Sequence, residues 1–338
     1  MIAPFFHRWE HSLVARTTDR VVRPFEWGLD WVFETAPRDD PGSALRDWAA
    51  EQTAASERFY AAPAAHDFSF DGFNLSFPSA FRTPHPENNT VRARYFPAAA
   101  RKNGDPPKRA VVILPQWNAG FDAHIALARI IARVGISAVR LSLPYHDERM
   151  PPELHRADYI VSANVGRTAQ VCRQAVLDAR RTVDWLVGQG YERIGILGTS
   201  LGSCLSMLTA AHDPRIRVAA LNHISPWFAD VVWEGLSTAH VREGLDGSID
   251  LPLLRDCWLP ISPAPYVHRM RGTRTLLVYA RYDLSFPVRL SRQLVDQFRT
   301  EGVDPEVSVL PCGHYSTGIA PFSWLDGWVL VQFLRRAL

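Results

Sequence analysis

A serine hydroxyl attacks a carbonyl only when a base takes its proton and the backbone presents it where the carbonyl can approach. The stretch Gly198-Thr199-Ser200-Leu201-Gly202 offers such a presentation. An apolar run over 193 to 198 precedes the serine, and a helical run of small and apolar residues begins at Leu201, its region closed by Pro214. Where a strand turns sharply into a helix, side chains two residues either side of the corner would collide, and glycine occupies both places. The corner also opens a helix, leaving the Leu201 amide unpaired, with the helix dipole behind it, to meet a developing oxyanion. Ser200 is therefore the candidate nucleophile, although a GxSxG pentapeptide outside this strand-and-helix context would be only a glycine-rich turn.

A nucleophilic serine needs a base and an orienting carboxylate, expected in the order Ser, acid, His at the ends of later strands. "TLLVYARYDLSFP" reads as a buried strand whose exit loop carries Asp283, and "EVSVLPCGHYS" as a second whose exit loop carries His314. Asp230 is the rival acid, but it lies beyond Pro226 in a helical pattern. His146 and His223 also fall near strand ends without following the last strand, which makes them candidates for lining rather than for the base. A second oxyanion donor is expected from the loop after "VVILP", where the backbone amide of Trp117, or else of Gln116, is available. Tyr145 and His146, in "PYHDERMP", are candidates for the crevice rim and the substrate contacts. His146, Asp147 and Glu148 do not read as metal ligands, because consecutive side chains rarely converge on one ion.

These residues must be positioned by a sheet. From Lys108 onward short apolar runs alternate with helical patterns: strand 110 to 115, helix from about 121 to near Gly135, strand 137 to 142, and a long helix over 167 to 187. Further strands are expected at 193 to 198, 217 to 223, 275 to 280 and 306 to 310. Such alternation specifies an α/β fold, a mostly parallel sheet covered by helices, whose carboxyl strand ends share one crevice. Before it, "DFSFDGFNLSF" and the run from Thr90 to Phe96 predict an antiparallel edge, and 98 to 108 a surface loop. Residues 1 to 60 read as an N-terminal, aromatic-rich helical extension, with Leu45, Trp48, Ala49 and Gln52 on one face after Pro41-Gly42-Ser43. Between the strands at 217 and 275 lies an insertion, about 225 to 272, rich in Trp227, Phe228, Trp233, Leu236, Leu251, Trp258 and Tyr266. It is expected to act as a lid or cap, with Trp227 and Trp233 shaping an apolar acyl pocket, or else simply to pack on the sheet.

With 338 residues, 47% of them hydrophobic, the chain can bury a sizeable core, and a net charge of +2 from interspersed charges leaves no footprint for nucleic acid. Cys172, Cys204, Cys257 and Cys312 form no CxxC pair, which suits a reducing compartment and argues against structural zinc. The N-terminal twenty residues are interrupted by charge at Arg8, Glu10, Arg16, Asp19 and Arg20, unlike a secretory signal, and no apolar run is long enough to span a bilayer. A cytoplasmic location is the resulting expectation, with oligomeric state left open.

With Gly198-Thr199-Ser200-Leu201-Gly202 after a strand, and Asp283 and His314 after later ones, the chain from Lys108 resembles the α/β-hydrolase superfamily. Within it, "RPFEWGLDW", "ILPQWN", "PYHDERMP" and "WEGLSTAHVR" are similar to the α/β-hydrolase domain-containing protein eighteen type, extending the resemblance over most of the chain. The resemblance implies an α/β-hydrolase domain over 61 to 338 and acyl transfer to water through an acyl-enzyme: Ser200 attacks, His314 is the general base, and Asp283 orients it. A carboxylic ester, small-molecule or lipid, is the expected substrate, without cofactor or metal. Two departures stand out: Pro115-Gln116-Trp117-Asn118 replaces an HGGG-type loop, and Ser203 takes a place often held by glycine. An acyltransferase or amidase would use the same residues, a non-catalytic scaffold of this fold would not need all three, and a peptidase of the prolyl-oligopeptidase kind is disfavoured because no propeller-length region precedes the domain.

Overall fold

In a computed structural model the described residues are 2–35, 37, 40–98 and 108–338. Most of the predicted loop at 98 to 108 therefore lies outside them. The strands, in chain order, are β1 (Ser69–Phe70), β2 (Asn74–Pro78), β3 (Thr90–Phe96), β4 (Arg109–Leu114), β5 (Ser137–Leu141), β6 (Arg193–Thr199), β7 (Ile216–Asn222), β8 (Arg274–Ala280) and β9 (Glu306–Leu310). They form one nine-stranded sheet in the order β1-β2-β3-β5-β4-β6-β7-β8-β9. β1 to β3 are antiparallel to their neighbours, and β5 through β9 pair in parallel. The antiparallel edge begins where Asp71 Oδ1 accepts the amides of Phe73 and Asn74 at 2.9 and 2.7 Å and Gly72 takes φ +97°, closing the β1–β2 hairpin.

Central strands are apolar on both faces because helices cover both. One core holds Val112, Leu114, Ile196 and Leu221 under helices Val165–Gly188, Leu201–His212 and Val288–Thr300. The other holds Val111, Ile113, Ala220 and Val278 under Ala3–Val14, Ile125–Arg133 and Phe322–Ala337. After β4 the chain crosses through Ile125–Arg133 to β5 on one side, then through Val165–Gly188 to β6 on the other. The sheet order thus reverses beside β4, which opens a crevice at the carboxyl ends of β4 and β6.

The predicted helix from 121 begins later, at Ile125, because Gly120 to His124 turns first and His124 takes φ +66°. The N-terminal segment divides over both faces: Ala3–Val14 packs Phe6 into the second core, while Pro41–Ala54, capped by Asp40, packs Leu45 into the first. The 225–272 insertion is helical throughout its ordered pieces, Phe228–Glu234, Ala239–Leu245 and Leu251–Cys257 among them. Trp258, fully buried, pins it by donating its indole N–H to Val165 O at 3.0 Å. No described helix is long and apolar enough to cross a membrane.

Candidate active site

β6 runs to Thr199 and the helix starts at Leu201, so Ser200 is a one-residue corner with φ 56° and ψ −120°. That is a costly conformation for serine, and the surroundings hold it in place. Its amide donates to Asn222 O at 2.8 Å, and a Cβ on Gly198 would stand 2.1 Å from Gly202 O. A Cβ on Gly202 would stand 2.1 Å from Leu114 O, so only glycine lets the elbow approach the end of β4. Ser203, the departure noted above, bridges Ser200 O at 2.6 Å and His223 O at 2.7 Å, tying the elbow to the end of β7.

Asp283 and His314 meet, as the chain order predicts: His314 Nδ1 donates to Asp283 Oδ2 at 3.0 Å. Asp283 is anchored from its other side by the Ser285 and Phe286 amides, which donate to Oδ1 at 2.8 and 2.7 Å. A second imidazole also reaches the same carboxylate: His223 Nδ1 donates to Oδ2 at 2.9 Å. Burial opposes the charge on Asp283, but His314 and the hydrogen bonds from both histidines outweigh it and hold the carboxyl well below its usual range. Burial likewise opposes an imidazolium at His314, and the adjacent Asp283 carboxylate, with Glu10 farther off, overrides it and raises the pKa.

Phe286 stacks on His314 at 5.3 Å and 8°. Phe286, Ser200, Leu201 and Trp117 line one cleft of about 490 Å³, counting its open mouth, roofed by Trp227, Phe228 and Val232 of the insertion. The lining includes no acidic, basic or histidine side chain. Ser200 Oγ and His314 share no hydrogen bond in this conformation; such contacts often tighten only when substrate is bound. The Gln116, Trp117 and Leu201 amides donate to no acceptor among the described residues, and of the three residues Trp117 and Leu201 reach the cleft.

Other sequence-selected residues are placed elsewhere. Tyr145 is fully buried with its hydroxyl on His85 Nδ1 at 2.9 Å, so it is not on the rim. His146 is also buried: Nδ1 donates to Pro144 O and Nε2 accepts the Asn118 amide, both at 2.9 Å. It braces the Gln116–Asn118 turn instead of touching the cleft, since "PYHDERMP" folds back beneath that turn, and burial pushes its pKa down to about 4. Trp233 does not line the cleft either; its ring packs 4.9 Å from the Arg242 guanidinium, because the helix Phe228–Glu234 turns Val231 and Val232 inward and Trp233 aside. Asp230 is held bidentately by Arg255 at 2.7 and 2.6 Å. His223, expected near the crevice lining, does not line the cleft but bonds Asp283, and two positions had no local signal in sequence: Phe286, and Glu10, whose carboxylate accepts the Tyr315 and Ser316 amides at 2.8 and 2.9 Å and braces the His314 loop. Ligand atoms of His223, Asp283 and His314 lie within 4.8 Å of one another, a donor set that in kind suits zinc. Both imidazoles, however, direct Nδ1–H at one oxygen, an arrangement of two donors sharing an acceptor.

The fold that carries this site is the α/β-hydrolase fold. Among solved structures the chain is similar to an acylaminoacyl peptidase from Pyrococcus horikoshii, at 13% identity and TM-score 0.60, covering 84% of this chain and 43% of that one. It is similar also to a lipase in an open form (13%, TM-score 0.56, 78% of this chain and 97% of that one). An esterase from Pyrococcus furiosus aligns at 13% and TM-score 0.53, over 80% of this chain and 91% of that one. The chain thus spans less than half the length of the peptidase. No protein-family model matches the sequence, and no curated protein matches it.

Proposed function

We propose that the protein is a serine hydrolase that cleaves carboxylic esters through an acyl-enzyme. The observation that carries this reading is the hydrogen bond from His314 Nδ1 to Asp283 Oδ2 at 3.0 Å, beside the cleft onto which the strained Ser200 corner opens. That bond fixes the His314 tautomer, leaving Nε2 with a lone pair for the Ser200 proton. Ser200 Oγ adds to the ester carbonyl as its proton passes to Nε2, and the Leu201 and Trp117 amides receive the oxyanion. The tetrahedral adduct collapses as the imidazolium protonates the leaving alcohol. Water, deprotonated by the same nitrogen, then adds to the acyl-enzyme and releases the acid and free Ser200. The cleft's lack of acidic, basic and histidine side chains favours a neutral, apolar acyl group, whether from a small ester or a lipid. No nucleic-acid partner, metal or cofactor belongs to this reading, and it carries the expectation of a cytoplasmic protein.

Hydrolysis of p-nitrophenyl acyl esters tests it. Ser200→Ala should lower kcat by roughly 10⁴ to 10⁶, and Asp283→Asn by about 10³ to 10⁴ with the fold retained. Asp230→Asn should leave kcat near the wild-type value. An Asp230 effect larger than that of Asp283 would sink the assignment of the acid. An acyltransferase would reveal itself if an added alcohol or amine acceptor captured the acyl group in preference to water, and an amidase if the amide of the same acyl group were cleaved faster than its alkyl ester.

A further inference from the structure

The helices Ala3–Val14, Ile125–Arg133 and Phe322–Ala337 cover one face of the sheet, and their inward residues, Phe6, Ile131 and Leu334 among them, are buried in its core. Their outward sides are also apolar. Trp324 is 73% exposed, Trp328 60% and Phe5 56%, and Ile2 and Ile130 are exposed as well. Trp324 and Trp328 lie one turn apart, so their indoles share one side of the helix. Large aromatic rings left in water at such positions mark a surface that meets something else.

The charges say what that is. These three helices carry His7, Arg8, His11, Arg129, Arg133, Arg335 and Arg336 against only two carboxylates, Glu10 and Asp326. Both carboxylates are turned inward. Glu10 is fully buried on the Tyr315 and Ser316 amides. Asp326 Oδ2 accepts the Asn222 side-chain amide at 3.0 Å, and burial pushes its pKa up to about 6. Arg8, Arg129, Arg133 and Arg335 remain exposed, so the outer surface of this layer pairs indoles with cations and presents no exposed carboxylate of its own. Indoles favour the headgroup region of a bilayer and arginines favour its anionic lipids.

The layer also adjoins the candidate site. Phe6 stacks on Tyr282, next to Asp283, at 4.6 Å and 9°. Phe322–Ala337 begins eight residues after His314, and Phe322 packs on Phe6 at 6.0 Å, which brings the starts of two of these helices together at the crevice end of the sheet. We propose that this helical layer docks the protein on the surface of an anionic lipid bilayer, with Trp324 and Trp328 entering the headgroup region.

Sedimentation with vesicles tests this, using equal parts phosphatidylcholine and phosphatidylglycerol against phosphatidylcholine alone. The wild-type protein should bind the mixed vesicles several-fold more strongly, and added salt should weaken that binding. Trp324→Ser combined with Trp328→Ser should lower partitioning by about tenfold or more, at an unchanged melting temperature because both rings are exposed. Arg129→Glu with Arg133→Glu should reduce binding to the mixed vesicles alone. Ser200→Ala should bind as wild type, which keeps this proposal separate from the hydrolase reading. Wild-type protein left in the supernatant with mixed vesicles, or a double tryptophan variant that binds undiminished, would overturn it. So would a tryptophan-dependent dimer without vesicle binding, since a second copy would then cover the face.

Discussion

Asp283 presents one oxygen to two backbone amides and the other to two imidazoles, so His223 and His314 compete for the same lone-pair region. The two histidines are not equivalent. The His223 side chain is 2% exposed and its Nε2 has no hydrogen-bond partner among the described residues, whereas His314 is 13% exposed and stacks on a ring that lines the cleft. His223 is thus read as a positioning residue, with Asp283, His314 and Asp326 the ionisable groups facing it. Removing it would give the whole oxygen to His314 and strengthen that pair. His223→Leu is expected to move the acid limb of kcat/KM upward by about half a pH unit or more, with a several-fold loss of kcat, and His223→Gln, which restores an N–H, to reverse that movement. A purely structural role would lower both kinetic parameters without moving the limb. In the wild type the limb itself should lie above 6.5, the ordinary histidine value, because Asp283 raises the pKa of a base that must be neutral to act. A limb below 6.5 in a pH titration of kcat/KM would remove His314 from that role.

On the proposed hydrolase reading, the insertion would set how long an acyl group fits. Each methylene buried contributes at most about 0.8 kcal/mol, about fourfold in kcat/KM, until the cleft ends. Val232→Phe should therefore shorten the chain at which kcat/KM stops rising across an acetyl-to-octanoyl series while sparing acetyl esters, because Val232 roofs the cleft. Trp233→Ala, at a residue that the sequence placed in the acyl pocket, should instead act equally on every chain length, since Trp233 packs on Arg242. The contrast shows what a sequence conveys. The elbow at Ser200 was legible because strand, corner, glycines and helix are consecutive, and the βα alternation from Lys108 was legible because each run carries its own period. Which face of Phe228–Glu234 turns inward depends on how the insertion docks through Trp258, and no local pattern encodes that. The His223–Asp283 bond was equally hidden: its partners lie 60 residues apart, and it depends on the register that sets Asn222 against Val278.

Across the whole molecule, burial neutralises several imidazoles. His124, His146 and His212 are each pushed down to about 4, chiefly by burial, against 6.5 for the unfolded chain. Between those values the unfolded state binds the protons and the folded state does not, so stability present above pH 6.5 is lost as pH falls toward 4. For each such histidine, a tenfold difference in proton affinity between the two states corresponds to about 1.4 kcal/mol. Asp326, raised by burial to about 6, and Asp158 and Asp178, also raised by burial, work in the opposite direction, but His240, likewise pushed down to about 4, makes four imidazoles against three carboxyls. The melting temperature should accordingly drop between pH 6.5 and 4, and a flat profile there would contradict the buried, neutral state of these histidines. His146→Gln, which can still accept the Asn118 amide, should flatten part of that slope. The N-terminal segment also acts at this scale. Sequence placed it as an extension, yet Glu10 reaches 305 residues along the chain to hold the Tyr315 amide beside His314.

The central claim is that Ser200 is a nucleophile activated by His314 and Asp283. Peptide mapping by mass spectrometry after treatment with a fluorophosphonate tests it most directly, because the reagent phosphonylates a serine only where a base and an oxyanion site already stand ready. One adduct is expected, on the peptide containing Ser200, absent from Ser200→Ala and strongly slowed in His314→Gln. No adduct on the folded wild-type protein, or one on another residue that persists in Ser200→Ala, would contradict the account and leave an α/β-hydrolase fold without a working triad.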